Sequence, residues 1–457
     1  MTARVLDLLR KITAAAVLCL GLMAGTNAGW TASVPPGLGG HVKLRGQLSR
    51  PAENTWQDMA DANTLWDGAA EVRIKYQADL TADLDATIHY ENMLAGGDTC
   101  QWKTTLLDRF PFLSDRDWRL EGDMPEDDRR LLDLTRRLDR DNDWIWYHRL
   151  DRLCLSWRPG PVDIRLGRQA VTWGNGRIFN PMDLCNPFSP TDVERDYKIG
   201  DDMLSAEITG AFGHVQLLVV PRRDPADHDV DAAHSSAAVK YHLAAGGLEW
   251  NLMAGRHYRD LVAGAGVVGY LGGAAWRLDT VLTVPDDDDD LWTENKEADT
   301  YLAVVANIDR SWVWWKRNWY GLVEFHYNGL MDDDYAENTT VGYIADRLAR
   351  GDLHGLGRYY AAATIQLEAH PLVNLYLTAI ANLEDPSGVF LPRLTWDATA
   401  NARLTLGGTL NRGGTGTEFG GWEIPRSAFL PAGLPGHATG LYTTPPDSIY
   451  AWLTWYF

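Results

Sequence analysis

The chain has 457 residues and a formal net charge of −20, a balance that excludes nucleic acid and other polyanions as partners. Twenty Trp, 18 Tyr and 10 Phe make it too aromatic and too patterned to be disordered. No stretch is long and apolar enough to cross a bilayer as a helix, so any passage through lipid must use a closed barrel.

In chain order, residues 1–28 read as a secretory signal. Arg4, Arg10 and Lys11 form a basic start, Ile12 to Gly25 is mostly apolar, and Thr26-Asn27-Ala28 offers small residues for cleavage. The remainder, 29–457, reads as a single domain without linkers, low-complexity tracts or long repeats. Its dominant signal is a period of two. Val42, Leu44 and Leu48 alternate with His41, Lys43, Arg45 and Gln47. Val72, Ile74, Tyr76 and Ala78 alternate with Arg73, Lys75 and Gln77, and Leu84, Ala86, Ile88 and Tyr90 with Asp85, Thr87, His89 and Glu91. This is the pleat of strands with one greasy and one wet face. The pattern recurs over 147–157, 162–170, 203–211, 213–221, 236–244, 247–257, 261–270, 274–284, 299–309, 319–328, 358–369, 372–383, 389–397, 400–411 and 448–457. The total is 18 strands, or 16 without the weaker segments 261–270 and 389–397.

The connections between these strands alternate long and short, as expected of a barrel with both ends on one side of a membrane. Seven of the nine odd-numbered connections are long, 258–260 and 384–388 being short; the one longer even-numbered connection is 310–318, Arg-Ser-Trp-Val-Trp-Trp-Lys-Arg-Asn, which reads as an aromatic interface girdle. Among the long connections, 92–146 carries Leu131, Leu132, Leu134 and Leu138 after Pro125, a spacing that predicts a short amphipathic helix, either a plug in the barrel mouth or a helix packed on other loops. Asp286–Asp290 is an acidic run. It lacks the glycine turns of a calcium loop, which favours a solvated loop over a cation bridge to lipopolysaccharide phosphates.

The final segment, Ser448 to Phe457, has Ile449, Ala451, Leu453, Trp455 and Phe457 on one face and ends on an aromatic. It resembles the terminal strand of Gram-negative outer-membrane β-barrels. That resemblance implies an all-β, transmembrane, antiparallel up-and-down barrel in the bacterial outer membrane. The implied partners are membrane lipid, lipopolysaccharide and, through Ser448–Phe457, the barrel-assembly machinery. The strand should pair with 400–411 on one edge and 41–50 on the other.

The connection 171–202, with the strand end before it, contains Gly167-Arg168-Gln169, Trp173-Gly174-Asn175, Asn180-Pro181, Asp183 and Asp196-Tyr197-Lys198. This density of turn formers describes a packed loop. Here the chain resembles poorly characterised porin-like outer-membrane proteins, with a GRQ…WG…NP…D element. By the analogy with porins, the loop is a candidate constriction, with Trp173, Asn175, Asn180, Asp183, Asp196, Lys198, Asp201 and Asp202 as candidate residues; the alternative is a purely structural loop.

Strand parity points Lys43, Arg45, Arg73, Lys75, Arg152 and Arg165 into the lumen as pore-lining candidates, although Asp79, Asp83, Asp85 and Glu91 share that face, so ion selectivity carries no sign. A polar lumen favours passive passage of small hydrophilic solutes. Two alternatives are weighed: a transporter of aromatic or hydrophobic compounds, and a barrel lipase or protease using His89, His242 or His326 with Ser156 or Asn328. The chain lacks GxSxG, HExxH and phosphate-loop patterns, so neither catalysis nor a cofactor or metal is expected. Cys100, Cys154 and Cys185 define no disulfide framework, and a monomer and a homo-oligomer would share this strand pattern.

Overall fold

The computed structural model describes residues 36–457 apart from 53–54, 56–63, 110–123, 126, 186–188, 191–196, 287–298, 333, 336–341, 425–440 and 444. The expected signal segment 1–28, Asp196 and most of the 286–290 acid run lie outside the described residues. The alternating segments form one antiparallel wall. Its strands are β1 (Leu38–Arg50), β2 (Leu65–Asp79), β3 (Leu84–Gly97), β4 (Trp144–Trp157), β5 (Val162–Gln169), β6 (Asp201–Gly210), β7 (Gly213–Arg223), β8 (Val230–Ala245) and β9 (Leu248–His257). They continue as β10 (Asp260–Leu271), β11 (Ala274–Val284), β12 (Tyr301–Trp314), β13 (Arg317–Asn328), β14 (Tyr359–His370), β15 (Val373–Asn382), β16 (Ser387–Asp397), β17 (Ala402–Arg412) and β18 (Asp447–Tyr456). All 18 expected strands are present, the two weaker ones being β10 and β16. β18 pairs with β17 on one edge and with β1 on the other, closing the sheet without a free edge.

Register explains why the greasy face points out. Leu44 lies opposite Leu453 and Val42 opposite Trp455, so the apolar sets of β1 and β18 share one side. Ile449, Leu453 and Trp455 are exposed there, as are Leu406, Leu375, Val323 and Phe325 on neighbouring strands. The opposite face carries Lys43, Arg73, Glu91, Asp279 and Glu324, all buried inside the barrel. An apolar exterior around a polar interior is the inverse of a water-soluble protein and matches a hydrocarbon surround. The protein is a membrane-spanning β-barrel.

At one end of the barrel every turn has two or four residues. The 310–318 connection is corrected here: β12 and β13 run on through Trp314 and Arg317, leaving a two-residue turn of Trp315 and Lys316 with φ of 49° and 59°. Mirror-image turns of this kind follow strand twist, even at the cost of a left-handed Trp. The aromatic cluster itself is real, since Trp314 stacks on Trp315 at 4.1 Å between centroids.

The other end holds the long connections. The expected helix over Leu131–Leu138 is not formed. Instead α1 (Asp98–Arg109) precedes it, and Thr135–Asp141 is a short strand on the upper edge of β4. The reason lies in β5, which stops after eight residues and leaves the upper half of β4 unpaired. Residues 127–134 bridge onward to β7, where Arg223 N–H donates to the Arg129 carbonyl at 3.0 Å. The segment therefore mends the wall; it does not plug the mouth.

Candidate pore constriction

The chain leaves the wall after Gln169 and turns inward. Trp173 seats in a cluster of Met182, Met203, Leu218, Val220, Met253 and Val281 on the inner faces of β6, β7, β9 and β11. Its indole N–H donates to Gln216 Oε1 at 2.5 Å. Asn180 Nδ2 donates to the Trp173 carbonyl at 2.7 Å and closes the turn. Gly174 sits inside that turn at φ 83°, where any Cβ would lie 2.1 Å from Asn180 Oδ1. Only glycine fits.

From there the loop crosses to the far wall, held by two carboxylates. Asp279 on β11 accepts Asn175 N–H at 2.5 Å and Nδ2 at 2.7 Å. Glu324 on β13 accepts three consecutive amides, Arg177 at 2.7 Å, Ile178 at 3.0 Å and Phe179 at 2.7 Å, plus Asn307 Nδ2 at 3.1 Å. Such charge-assisted bonds are about twice as strong as neutral ones. Phe179 then packs into a second cluster with Val305, Tyr360, Ile380, Val389 and Leu391, stacked 4.6 Å from His326. One strut thus joins the β6–β7 wall to the β12–β16 wall.

The returning limb meets a third part of the circumference. Tyr197 takes Lys75 Nζ at 2.5 Å on its hydroxyl, and the Arg73 guanidinium lies 4.4 Å from its ring centroid. Lys198 is ion-paired with Asp183. Burial pushes the Asp183 carboxyl up to about 6, outweighing the Lys198 ammonium.

The wall candidates divide by role. Lys43, with Nζ 4.3 Å over Trp452, and Arg45, two residues on along β1, lie on the inner face. Arg73 is locked between Glu91 at 2.8 Å and Asp151, and Arg149 also binds Glu91 at 3.0 Å. A bulge in β4 leaves Asp151 without a partner across β3, so Asp151 and Arg152 both turn inward. Arg152 Nη2 then donates to the Lys198 carbonyl at 2.6 Å. Arg165 shares the inner face with Ser156 and Ser205, nearer the short-turn end, and about half its side chain is open. The expected basic wall is therefore largely a lattice of paired charges.

Two loop-edge acids are separated by the pleat. Asp201 faces inward and binds Arg222 at 2.7 Å. Asp202 is a correction: register puts it on the outer face with Leu204, where it pairs with Arg168 at 2.9 Å and accepts Leu132 N–H at 2.8 Å beneath the 127–134 segment. It belongs to the mended wall, not to the constriction.

Comparison with known structures supports this architecture. The chain is similar to Acinetobacter baumannii OccAB1, with a TM-score of 0.52 at 10% identity, covering 93% of this chain and 98% of that one. It is also similar to OccAB2 of the same organism, with a TM-score of 0.50 at 8% identity, covering 92% and 98%. These likenesses establish a shared fold. No protein-family model matches the sequence, and no curated protein does.

Sequence reasoning missed several residues at this site. Asp279 and Glu324 are single acids in lumen-facing strands, and only the loop's backbone amides give them a role. Glu418, from the connection after β17, accepts Leu356 N–H at 2.9 Å, the Tyr360 hydroxyl at 2.7 Å and Asn382 Nδ2 at 2.8 Å. Burial pushes its carboxyl above the usual range. In the alternative enzyme reading the candidate histidines have other partners: His326 contacts the Val304 carbonyl and His242 contacts Asn251. A different set, Ser236–His257–Asp352, is aligned at 3.0 and 3.3 Å. Its Ser236 Oγ is buried and already accepts Arg222 Nη1 at 2.7 Å and Tyr258 N–H at 3.2 Å, which suits bracing of the mouth and not attack on a substrate.

Proposed function

We propose that the protein is a porin-like channel passing small solutes down their gradients, with residues 173–183 and 197–198 forming its constriction. The observation that carries this reading is the strut itself. A loop fastened across a polar lumen by Asp279 and Glu324, with paired charges beside it, supports a passage narrowed at this level. A serine hydrolase would need its nucleophile open to substrate, and Ser236 is buried and hydrogen-bonded. Purified protein in a planar bilayer tests the reading: stepwise single-channel conductance supports it, and a silent bilayer together with ester or peptide hydrolysis overturns it. The hydrophobic-compound alternative predicts a greasy track through the lumen, which the charge lattice of β1–β4 interrupts.

A further inference from the structure

Between the constriction and the connection that follows β13 lies a cavity of about 90 Å³, open on one side. Its floor is Phe179, Asn180 and Asp183 of the strut, and its roof is Arg347 of α2 (Gly342–Arg350) with residues 352–355.

Two properties define what it holds. Much of the lining is apolar or aromatic: Phe179, Val262, Val281, Tyr301, Ala303 and Tyr360. The charges at its edge cancel. Arg347 is paired with Asp260 at 2.7 Å, Asp352 with Arg350 at 2.9 Å, and Asp183 with Lys198. Three carboxylates meet three cations, so a charged solute finds no uncompensated partner and would leave its own hydration unreplaced. Polar groups are nonetheless present. Thr283 and Asn328 line the space, and their hydroxyl and amide groups suit an oxygen brought by a ligand.

We infer that this cavity is a holding site for small uncharged ring compounds bearing a carbonyl or hydroxyl oxygen. The ring lies against Phe179, Val281 and Tyr301, and its oxygen meets the polar side chains of Thr283 and Asn328. The volume, below the roughly 150 Å³ of a cavity that admits benzene, limits it to a single ring extending toward the open side.

The inference rests on the channel reading, and its test separates the two. Nicotinamide, nicotinate and 1-methylnicotinamide offer one ring with charges of zero, minus one and plus one. In planar bilayers the full-length protein should show current interruptions that saturate with nicotinamide, at a half-saturating concentration about tenfold or more below that of either charged analogue. Asn328→Asp, which upsets the charge balance at constant shape, should move the preference to 1-methylnicotinamide by about tenfold. Val281→Trp, which fills the cavity, should abolish saturation. Saturation-transfer NMR on the detergent-solubilised protein reads binding without conductance. A silent bilayer with nicotinamide still bound would overturn the channel and keep the site. A conducting channel with unsaturable nicotinamide, or with nicotinate preferred, would overturn the site and keep the channel.

Discussion

Glu324→Gln tests the strut most directly. In the native barrel Glu324 Oε1 accepts Ile178 and Phe179, and Oε2 accepts Arg177 and Asn307. A glutamine amide offers one acceptor. Whichever way it turns, two of the four donors face an NH₂ group. Each lost charge-assisted bond is worth about 1.5 kcal/mol or more, offset in part because a buried charge is removed as well. A net weakening of about 2 kcal/mol raises the unseated fraction of residues 175–179 roughly thirtyfold. The assay is single-channel recording. Wild type should give a steady level, and the variant a higher mean conductance with added open-channel noise. Asp279→Asn should act the same way more weakly, since Asn175 is its main donor. If Glu324→Gln and Glu324→Ala both conduct with the wild-type level and noise, the strut does not set the pore and the reasoning fails.

Other outcomes follow from the same geometry. Arg73→Ala leaves Glu91 and Asp151 facing each other with less compensation, so resistance to heat on gels should fall by an amount equivalent to about 3 kcal/mol or more. Unchanged resistance would show that the charge lattice is not a brace. Arg165→Glu, on a half-open side chain paired only locally with Asp163, should fold normally and shift the reversal potential in a salt gradient toward cations; no shift places Arg165 off the conduction path. Gly40→Ala should lower the folded yield, because its Cβ would lie 2.1 Å from the Arg73 carbonyl and 2.8 Å from the Phe457 ring, where β1, β2 and β18 meet. The raised Asp183 makes a signed pH prediction. A carboxyl whose folded value, about 6, exceeds its unfolded value gives stability that is complete below about pH 4 and lost as pH rises through 6. Relative to Asp183→Asn, wild type should therefore lose protection of the loop from protease between pH 5 and 7; parallel curves would refute the shift.

How much was legible depended on which residues the information sits in. Strand number, the facing of Leu453 and Trp455, and the closure of β18 on β1 and β17 follow from a period of two that every strand repeats. The inward turn of the chain after Gln169 was legible as a candidate because Gly174, Asn175 and Asn180 announce a packed loop. What stayed hidden was set by pairing between distant segments. The bulge at Asp151 has no local sign, and it changes which side chains of β4 face in. Leu134 and Leu138 read as helical because their spacing is local, whereas the demand their segment meets, an unpaired upper edge of β4, comes from the early end of β5. Asp202 looked like its neighbour Asp201 until register divided them.

The mended wall has a consequence for how the barrel is made. Strands that pair only with their sequence neighbours can be added one hairpin at a time, each closing a short loop. Here the gap above β5 is sealed by Leu132 meeting Asp202, 70 residues later. That contact forms only once β6 is in place, so closing this part of the wall carries the loop-closure cost of the 70 intervening residues, where a hairpin carries that of a two- or four-residue turn.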